Sequence, residues 1–344
     1  MYPSKFGVDG LPTEDSISQK LEESSKKVDP LINLVLKPRR PEQLYEAARH
    51  IIEAGGKRLR PYLVLKSCEL LGGDQKAAIP YAAAMEILHN FTLVHDDVMD
   101  NDPLRRSVPT VHAKWNVPIA IASGDLLFAK VYEVIIREKT GQMPCDKVLA
   151  CIERLTDASI AICEGQVMDI SYPGTENVTE SDYIAMVGRK TAALFKACAE
   201  VGAIVGGGTK NEVELLGDYA WNAGISFQII DDYLGVTADE KTLGKPIGSD
   251  FREGKKTLII IHALWNASPD DRQKVINVLG NAQANHKDVE SVMKILEKTG
   301  SLIYAKGQAK TYAEKAKKRL AKFLESDSKR DLVELVDYFI ARIR

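Results

Sequence analysis

The amino-acid sequence predicts an all-α fold, a single-domain helical bundle. Apolar residues recur with the helical period along most of the chain, and glycines and prolines mark the ends of these segments. No run of alternating β-branched residues indicates a sheet, and strands do not alternate with helices as in a nucleotide-binding fold. The 344 residues are 45% apolar and 27% charged, so the chain can bury a large core without disulfides or structural zinc.

Glycines and prolines locate the predicted helices. The first, 41–53, ends before Gly55-Gly56, because glycine is favoured just after a helix. A second helix, 61–71, and a third, from about 80 to 99, each begin with a proline, which fits a first helical turn. The remaining predicted helices cover 123–139, 145–166, 181–204, 211–234, 257–266, 269–280, 288–299, 302–326 and 329–343.

Composition and charge exclude several classes of protein. Lysine and arginine total 46 against 48 acidic residues, and the net charge of −2 predicts neither a nucleic-acid-binding nor a basic membrane-surface protein. No window reaches 18 uncharged apolar residues, so no transmembrane span is expected. Residues 1–30 form a polar N-terminal segment that lacks the features of a secretory signal, and 31–344 are predicted to form the one domain. Five cysteines without a C-x-x-C pair indicate reduced thiols and a cytoplasmic location.

The most informative segment, residues 89–100, ends an apolar helix with three aspartates. Asp96 and Asp100 are four residues apart on one helix face, Asp97 is adjacent, and His89, seven residues before Asp96, points the same way. Like charges at this spacing destabilise a helix by about 0.2–0.5 kcal/mol per pair, and a divalent cation reverses that interaction. Oxygen-only ligands suit Mg²⁺, which completes its shell with water and substrate phosphates. The alternative interpretation is a solvated acidic helix end.

A second apolar helix also ends in an acidic pair. Gln228, Asp231 and Asp232 stand at positions i, i+3 and i+4, which makes one polar stripe on an otherwise apolar helix. Two helices with such ends can face each other across a bundle core and hold several cations between them. Because the pattern occurs twice, metal binding is favoured over a chance cluster.

Basic residues lie mostly where the predicted helices break, as a phosphate-binding site requires. Lys57 and Arg60 are at the first helix junction, and Arg105 and Arg106 follow the first acidic end by a few residues. Further candidates are Lys190 and Thr191 within a helix, and Lys245 and Lys255 in the loop after the second acidic helix. Each alone indicates a solvated charge, but together with the carboxylates they predict a site for polyanions.

No catalytic nucleophile stands out in the sequence. It contains neither G-x-S-x-G nor H-E-x-x-H. The pair His95-Asp96 is similar to one that metal-dependent phosphohydrolases use, but the other histidines show no ligand spacing. Polyanion binding without a nucleophile is therefore the favoured interpretation.

Five segments, in order between about Gly55 and Thr257, resemble the trans-isoprenyl (polyprenyl) diphosphate synthases: GGKRLRP, HNFTLVHDDVMDNDPLRR, GRKTAALF, FQIIDDYLG and GKPIGSDFREGKKT. The short DDxxD form of the first aspartate motif is similar to that of archaeal geranylgeranyl diphosphate synthases and their longer-chain, geranylfarnesyl relatives. The resemblance implies an isoprenoid-synthase bundle around a deep central cavity and a role in isoprenoid and membrane-lipid precursor biosynthesis. It implies the condensation of isopentenyl diphosphate with dimethylallyl, geranyl or farnesyl diphosphate, a homodimer, and about three Mg²⁺ ions per active site with diphosphate bound.

The resemblance also assigns roles to the candidate residues. Asp96 and Asp100 would hold Mg²⁺ on the allylic diphosphate with support from Asp97, and Asp231 would hold a further Mg²⁺. Positions that match the allylic substrate are Arg105, Lys190, Thr191, Gln228, Lys245 and Lys255, and those that match isopentenyl diphosphate are Lys57, Arg60, His89 and Arg106. The catalytic set is Asp96, Asp97, Asp100, Asp231, Lys190 and Gln228.

Residues just before the first aspartate motif form the pocket floor in relatives, so they predict product length. Phe91, Thr92 and Leu88 precede Asp96 by five, four and eight residues. Helical geometry puts Thr92 nearly under Asp96 but Phe91 about 140° away, so the role of Phe91 rests on the resemblance. A bulky residue there favours geranylgeranyl diphosphate (C20), whereas small Thr92 leaves room for geranylfarnesyl diphosphate (C25).

One departure from the family pattern and two competing functions stay open. The chain has Gly235 where relatives often have a third aspartate in the second motif, and Asp239 is a candidate replacement. We expect altered surroundings for Asp231 and a working enzyme. A terpene cyclase is the first competitor, but it would have no use for a second diphosphate site at Lys57 and Arg60. The second competitor is the inactive partner of a heteromeric synthase, which usually loses the first motif.

Overall fold

The structure is a computed structural model that describes residues 14–137, 143–175, 177–237 and 249–342, so Lys245 and Asp239 lie outside the described residues. The described elements are almost all helices, which confirms the predicted all-α class. Backbone contacts divide the chain into two compact units. The first unit takes in the chain up to Ala158, Leu194–Asp218 and Leu320–Leu335, and the second takes in Ser159–Ala193, Tyr219–Arg319 and Val336–Arg344.

The helices follow the predicted order, with shifts at their ends. They are α1 (Glu14–Val35), α2 (Glu42–Glu53), α3 (Leu59–Leu70), α4 (Gln75–Met99), α5 (Val111–Lys114), α6 (Val117–Arg137), α7 (Cys145–Ser171), α8 (Glu180–Val187), α9 (Ala193–Val205), α10 (Lys210–Thr237), α11 (Ser249–Arg252), α12 (Leu258–Asn266), α13 (Pro269–Val278), α14 (His286–Lys298), α15 (Ser301–Leu320) and α16 (Asp327–Ala341). A 3₁₀ turn, Tyr172–Gly174, and a π-helical segment, Gly188–Ala192, complete the helical elements of the described ranges. None of these helices is long and apolar enough to cross a membrane.

Helix α1 was not predicted from the sequence. Its apolar residues are sparse, but Ile17, Leu21, Val28 and Ile32 fall on one face and are buried, and the helix packs against α3 and α4. The helix continues through residue 30, where the sequence analysis placed the boundary between the N-terminal segment and the domain. The division of the chain into 1–30 and 31–344 stays a prediction.

Helix α4 forms the centre of the first unit and carries the first acidic end. It begins at Gln75, five residues before the predicted start at Pro80, because the side chain of Asp74 caps its first turn. Residues 82–88 are buried on every side, since α1, α3 and α6 all pack against α4. The helix stops at Asp100, so the aspartates emerge where a buried helix ends.

A two-stranded hairpin follows α4, although the sequence predicted no strand. Strand β1 (Leu104–Arg105) pairs antiparallel with β2 (Val108–Pro109). The turn residues Arg106 and Ser107 have φ angles of 52° and 62°, the left-handed pair that a type I′ turn requires. Strands of two residues are too short to leave an alternating pattern in the sequence.

The predicted single helix 181–204 is interrupted by the π-helical segment, which belongs to the second unit. Such segments often occur at functional sites, and this one carries Lys190 and Thr191. It lies very close to α7: a Cβ added to Gly165 would be 2.3 Å from the backbone nitrogen of Lys190. Glycine at 165 is therefore required for this approach. The unit's core is built from apolar residues of α8, α10, α12 and α14.

Candidate active site

The three aspartates at the acidic end of α4, in the first unit, differ in how deeply they are buried. Asp97 is fully buried, and its Oδ1 accepts a hydrogen bond of 2.5 Å from Nε of Arg105 on the hairpin. Its backbone carbonyl also accepts a hydrogen bond from the backbone N–H of Asp102. Asp96 and Asp100 are partly exposed. Asp97 thus anchors the hairpin, while Asp96 and Asp100 are the carboxylates that solvent can reach.

The junction between α2 and α3 is organised by an arginine that the sequence analysis missed. Arg58 is buried and has a φ of 51°, and its guanidinium pairs with Asp29 at 3.0 Å and with the buried Glu86 at 3.1 Å. It also donates to the backbone carbonyl of Ile52. The only signal in the sequence was its position between Lys57 and Arg60. Because the side chain of Arg58 holds the loop, it fixes the backbone positions of the neighbouring candidates Lys57 and Arg60.

The glycine pair before this junction makes room for Arg106. Nη1 of Arg106 donates to the carbonyls of Ile51, at 3.0 Å, and of Gly55. A Cβ at Gly56, whose φ is 141°, would be 2.8 Å from Nη2 of Arg106. Burial, with help from neighbouring arginines, lowers the pKa of Arg106 to about 10, so the group is still protonated at neutral pH.

Positive charge converges on His89 of α4. Burial lowers the pKa of His89 well below its ordinary value, and the charges of Arg60, Arg106, Arg105 and Arg58 lower it further. Arg60 also stacks on the ring of Phe195, with its Cζ 5.1 Å from the ring centroid. Lys57 is exposed and borders a small cavity with Gly56 and Ser25. Arg60, His89 and Arg106, three of the residues predicted to bind isopentenyl diphosphate, therefore lie near one another, while Arg58 and Arg105 are paired with carboxylates.

The residues proposed for the pocket floor have different environments. The ring of Phe91 lies 5.1 Å from that of Phe128 and 4.8 Å from His95, and Phe128 lies 5.5 Å from Tyr132. Leu88 is fully buried, and the hydroxyl of Thr92 donates to the carbonyl of His89. Phe91 therefore belongs to a row of aromatic rings that continues onto α6. The sequence analysis missed Phe128 and Tyr132.

The second unit contains a cavity of about 340 Å³ at the acidic end of α10. Its walls include the predicted residues Lys190, Thr191, Gln228, Asp231, Asp232 and Lys255. Gly235 also borders this cavity, at the position of the missing third aspartate. Residues of the cavity that the sequence analysis missed are Asp169, Tyr172, Tyr183 and Lys256.

Inside this cavity, Asp232 is held by neutral donors. The hydroxyl of Tyr183 donates to Oδ2 at 2.6 Å, and Nε2 of Gln228 donates to Oδ1 at 2.9 Å. Oε1 of Gln228 in turn accepts from the hydroxyl of Thr191 at 2.8 Å. Burial and the charge of Asp232 raise the pKa of Tyr183 well above its ordinary value, so Tyr183 stays protonated and can donate to Asp232. Thr191 and Gln228 therefore position Asp232 in this structure.

Two ion pairs at the cavity involve residues that the sequence analysis missed. Nζ of Lys190 pairs with Asp169, which follows Gly165 by one helical turn on α7. Asp231 accepts a hydrogen bond of 2.6 Å at Oδ1 from Nη1 of Arg342, just beyond the end of α16. The i, i+4 spacing of Gly165 and Asp169 could have been noticed in the sequence. Nothing in the sequence connects residue 342 with residue 231.

The aspartates can supply some of the ligands of a Mg²⁺ ion, but not a complete coordination shell. Among the residues that the structure describes, no three His, Cys, Asp or Glu side chains converge into a closed metal centre. Mg²⁺ takes one or two carboxylates and fills its other positions with water and phosphate oxygens. The partly exposed pair Asp96 and Asp100, and Asp231 at its cavity, supply that oxygen-only donor type.

The family described as Polyprenyl synthetase matches residues 41–296. Geranylgeranyl diphosphate synthase of Saccharolobus solfataricus is 48% identical over 273 residues, covering 79% of this chain and 82% of that protein. Short chain isoprenyl diphosphate synthase of Methanothermobacter thermautotrophicus is 42% identical over 322 residues, covering 94% and 97%. Geranylfarnesyl diphosphate synthase of Aeropyrum pernix is 38% identical over 308 residues, covering 88% and 96%.

Solved structures agree with the sequence relatives. Geranylgeranyl pyrophosphate synthetase from Pyrococcus horikoshii Ot3 superposes with a TM-score of 0.89 at 41% identity, covering 95% of this chain and 98% of that one. A polyprenyl synthase from Caulobacter crescentus CB15, crystallised with calcium and isoprenyl diphosphate, superposes with a TM-score of 0.85 at 32% identity, covering 94% and 97%. These similarities extend over nearly the whole chain.

Proposed function

Because the chain belongs to the polyprenyl synthetase family and is a trans-prenyltransferase that uses isoprenoid diphosphates, we propose that it makes geranylgeranyl diphosphate (C20). It would extend dimethylallyl, geranyl or farnesyl diphosphate with isopentenyl diphosphate. The observation that carries the proposal is the basic cluster at the α2–α3 junction and the hairpin, where Arg60 and Arg106 lie near enough to His89 of α4 to lower its pKa. A second diphosphate held by cations alone is what a condensing enzyme needs and a cyclase does not.

In the first unit, Asp96 and Asp100 are proposed to hold Mg²⁺ on the allylic diphosphate. When bound, the metal would neutralise the charge that develops on diphosphate as the allylic C–O bond breaks. Asp97 supports this face indirectly, since it fixes Arg105 and the hairpin. Arg105, held by Asp97, is proposed to contact the same diphosphate.

Isopentenyl diphosphate is proposed to bind to Lys57, Arg60, His89 and Arg106. Its carbon–oxygen bond does not break in the reaction, so direct cationic contacts suffice and metal is not required there. The alkene of isopentenyl diphosphate attacks the allylic cation, which forms the new carbon–carbon bond. A proton then leaves the adjacent carbon, and the departing diphosphate accepts it, which accounts for the absence of a dedicated base from the predicted residues.

In the second unit, Asp231 is proposed to hold a further Mg²⁺, which would bring the total to about three per active site. Lys190, Thr191, Gln228 and Lys255 are proposed as contacts of the allylic diphosphate. Their support is the cavity that they share with Asp231. Lys190 and Lys255 are the charged contacts, and Thr191 and Gln228 are neutral ones that also hold Asp232 in place. A corresponding role for Lys245 rests on the resemblance alone.

A C20 product is supported by Phe91, which packs against Phe128 and is continued by Tyr132. A row of large rings opposes the growth of an apolar chain better than a single flexible side chain does. The second candidate product, geranylfarnesyl diphosphate (C25), is favoured by the small Thr92. The similarity to a geranylfarnesyl diphosphate synthase from Aeropyrum pernix also favours it.

Chromatography of the products formed from each primer tests the function. We expect geranylgeranyl diphosphate from dimethylallyl, geranyl and farnesyl diphosphates, and primer consumption only when isopentenyl diphosphate is present. A C25 product would replace the C20 proposal, and a hydrocarbon formed without isopentenyl diphosphate would indicate a cyclase. The variant Phe91→Ala should lengthen the product, while Phe91→Leu, which keeps an apolar side chain there, should shift it less.

A homodimer and a cytoplasmic location complete the proposal. Helix α6 of the first unit exposes Val117, Ile121 and Ile136, which are candidates for a contact with a second copy of the chain. Light scattering coupled to gel filtration should give twice the chain mass, and Ile121→Asp should lower it. All five cysteines are free thiols, which is compatible with a reducing compartment, and cell fractionation tests that location.

A further inference from the structure

The C-terminal end of α16 reaches the second acidic end through one arginine. Nη1 of Arg342 donates to Oδ1 of Asp231 at 2.6 Å, with about a fifth of the arginine side chain and a third of the aspartate side chain exposed. The guanidinium also lies over the ring of Phe227, with Cζ 5.4 Å from the centroid. Phe227 precedes Asp231 by one turn of α10, so Arg342 contacts one face of that helix twice.

An apolar contact secures the same helix end next to the arginine. Phe339 is fully buried and packs edge to face on Phe227, with ring centroids 4.9 Å apart. Phe339 and Arg342 are three residues apart, so both fall on the same side of α16. The buried ring contact does not depend on charge, whereas the ion pair depends on what else binds Asp231.

Two cations compete for one carboxylate oxygen. An ion coordinated by Oδ1 of Asp231 would approach to about 2.1 Å, on an oxygen that Arg342 already uses. The two positive charges would then lie within a few ångströms of each other in a partly buried site, where repulsion is poorly screened. This repulsion makes metal and guanidinium compete for the same carboxylate oxygen.

We propose that Arg342 is a positioning residue that occupies Asp231 until Mg²⁺ replaces it, so that metal binding at the second acidic end releases the C-terminal end of α16. The inference rests on the proposed role of Asp231 as a metal ligand. In the metal-free protein, Arg342 compensates the charge of Asp231 and holds its carboxylate at the cavity. Because the metal must displace Arg342, a higher metal concentration is needed to occupy Asp231. The motion of the C-terminal end of α16 is then coupled to metal binding.

Metal binding to the full chain, without any diphosphate, tests the exchange. Mn²⁺ binding followed by electron paramagnetic resonance, with Mg²⁺ as competitor, gives the affinities. We expect Arg342→Gln to bind metal about three- to tenfold more tightly than the wild type, and Arg342→Lys to fall between the two. If Arg342→Gln only damaged the structure, metal binding would weaken. Tighter binding would therefore indicate the loss of a competing cation. Arg330→Gln is the matched control, since Arg330 is exposed on the same helix and pairs with Asp327.

Two further measurements make the test decisive. In an Asp231→Asn background, Arg342→Gln should leave metal affinity unchanged, because the shared oxygen ligand has been weakened for both cations. Hydrogen exchange at the end of α16 should rise with Mg²⁺ in the wild type and already be high in Arg342→Gln. If Asp231→Asn lowers metal affinity but Arg342→Gln does not raise it, the exchange is overturned and the proposed function stands. If Asp231→Asn changes neither metal affinity nor condensation, the proposed role of Asp231 is overturned as well.

Discussion

The acidic ends of α4 and α10 have the same short sequence, two adjacent aspartates after an apolar helix, but their surroundings differ. In both pairs, protein donors hold the second aspartate. Asp97 is fully buried and bound by a charged group, Arg105, whereas Asp232 borders a cavity and is bound by the neutral donors Tyr183 and Gln228. The same motif thus fixes a hairpin in one unit and a polar network in the other.

The difference indicates a division of labour within each pair. The second aspartate builds the site, because it already accepts hydrogen bonds from other candidate residues: Asp97 from Arg105, and Asp232 from Gln228. The first aspartate is the better candidate ligand: Asp96 is partly exposed, and Asp231 borders its cavity and pairs with Arg342. Substitutions can separate the two roles, since loss of a ligand reduces turnover and loss of an anchor reduces stability.

The largest effect is expected from the two candidate ligands. Asp96→Ala and Asp231→Ala should each lower kcat at least about 10²–10³-fold at saturating Mg²⁺, since each removes a principal source of charge stabilisation for the departing diphosphate. Their unfolding free energies should stay close to that of the wild type. Glu23→Ala, an exposed acidic position on α1, is the control. Near-normal turnover of either variant would refute the metal role of that residue.

Replacing single glycines by alanine tests how closely the two units are packed around them. Gly165→Ala forces a Cβ to within 2.3 Å of the backbone at Lys190, so we expect a loss of about 2–3 kcal/mol in urea unfolding. Gly124→Ala in the first unit meets the ring of His95, which can rotate, and should cost less. At Gly307, in the middle of α15, nothing lies within 4 Å, and alanine should stabilise the helix by about 0.5–1 kcal/mol. Equal losses at all three positions would contradict the packing described here.

The anchors themselves should differ in their contribution to stability. Asp97→Asn keeps the shape but removes the charge that faces Arg105 inside the protein, and we expect a loss of about 2 kcal/mol. Asp232→Asn leaves neutral donors opposite a neutral amide and should cost less than about 1 kcal/mol. Urea unfolding of the two variants measures the difference. If Asp232→Asn proved the more costly, the distinction between a charged and a neutral anchor would fail.

The smallest effect concerns pH and is confined to the arginine cluster of the first unit. The folded-state pKa of His89 lies below its unfolded value of about 6.5, so below that pH the unfolded chain binds a proton that the folded chain refuses. Stability should therefore fall as pH drops from about 6.5 to 5.5, by at most about 1.4 kcal/mol from this group. His89→Asn should flatten that part of the curve. An unchanged slope would show that His89 is not the group responsible.

Most helices could be predicted because their signal is local. The end of α2 before Gly55-Gly56 and the acidic end of α4 follow from periodicity and from residues that stop helices. Helix α1 was missed because its few apolar residues become meaningful only when α3 and α4 cover them. The π-helical segment and the hairpin were missed because each depends on close contacts, such as that of Gly165 with Lys190, and not on a repeating pattern.

The candidate site could be predicted in part. The aspartates and the basic residues at the helix junctions could be named as candidates because their spacing, and the motifs that resemble the family, lie within short segments. The family and the prenyltransferase activity that they predicted are confirmed. The missed residues, such as Arg58, Asp169, Tyr183 and Arg342, act through partners that are distant in sequence.

The sequence by itself determined that this protein is helical, that it places two acidic pairs at helix ends, and that basic residues lie mostly where helices break. These properties depend on residue type and on spacings of a few positions, which helical geometry converts directly into shared faces. Only the tertiary structure decided that Asp97 is buried against Arg105 while Asp231 pairs with Arg342. The physical reason is that burial and ion pairing depend on which distant segments meet, and identical Asp-Asp sequences take their chemistry from those neighbours.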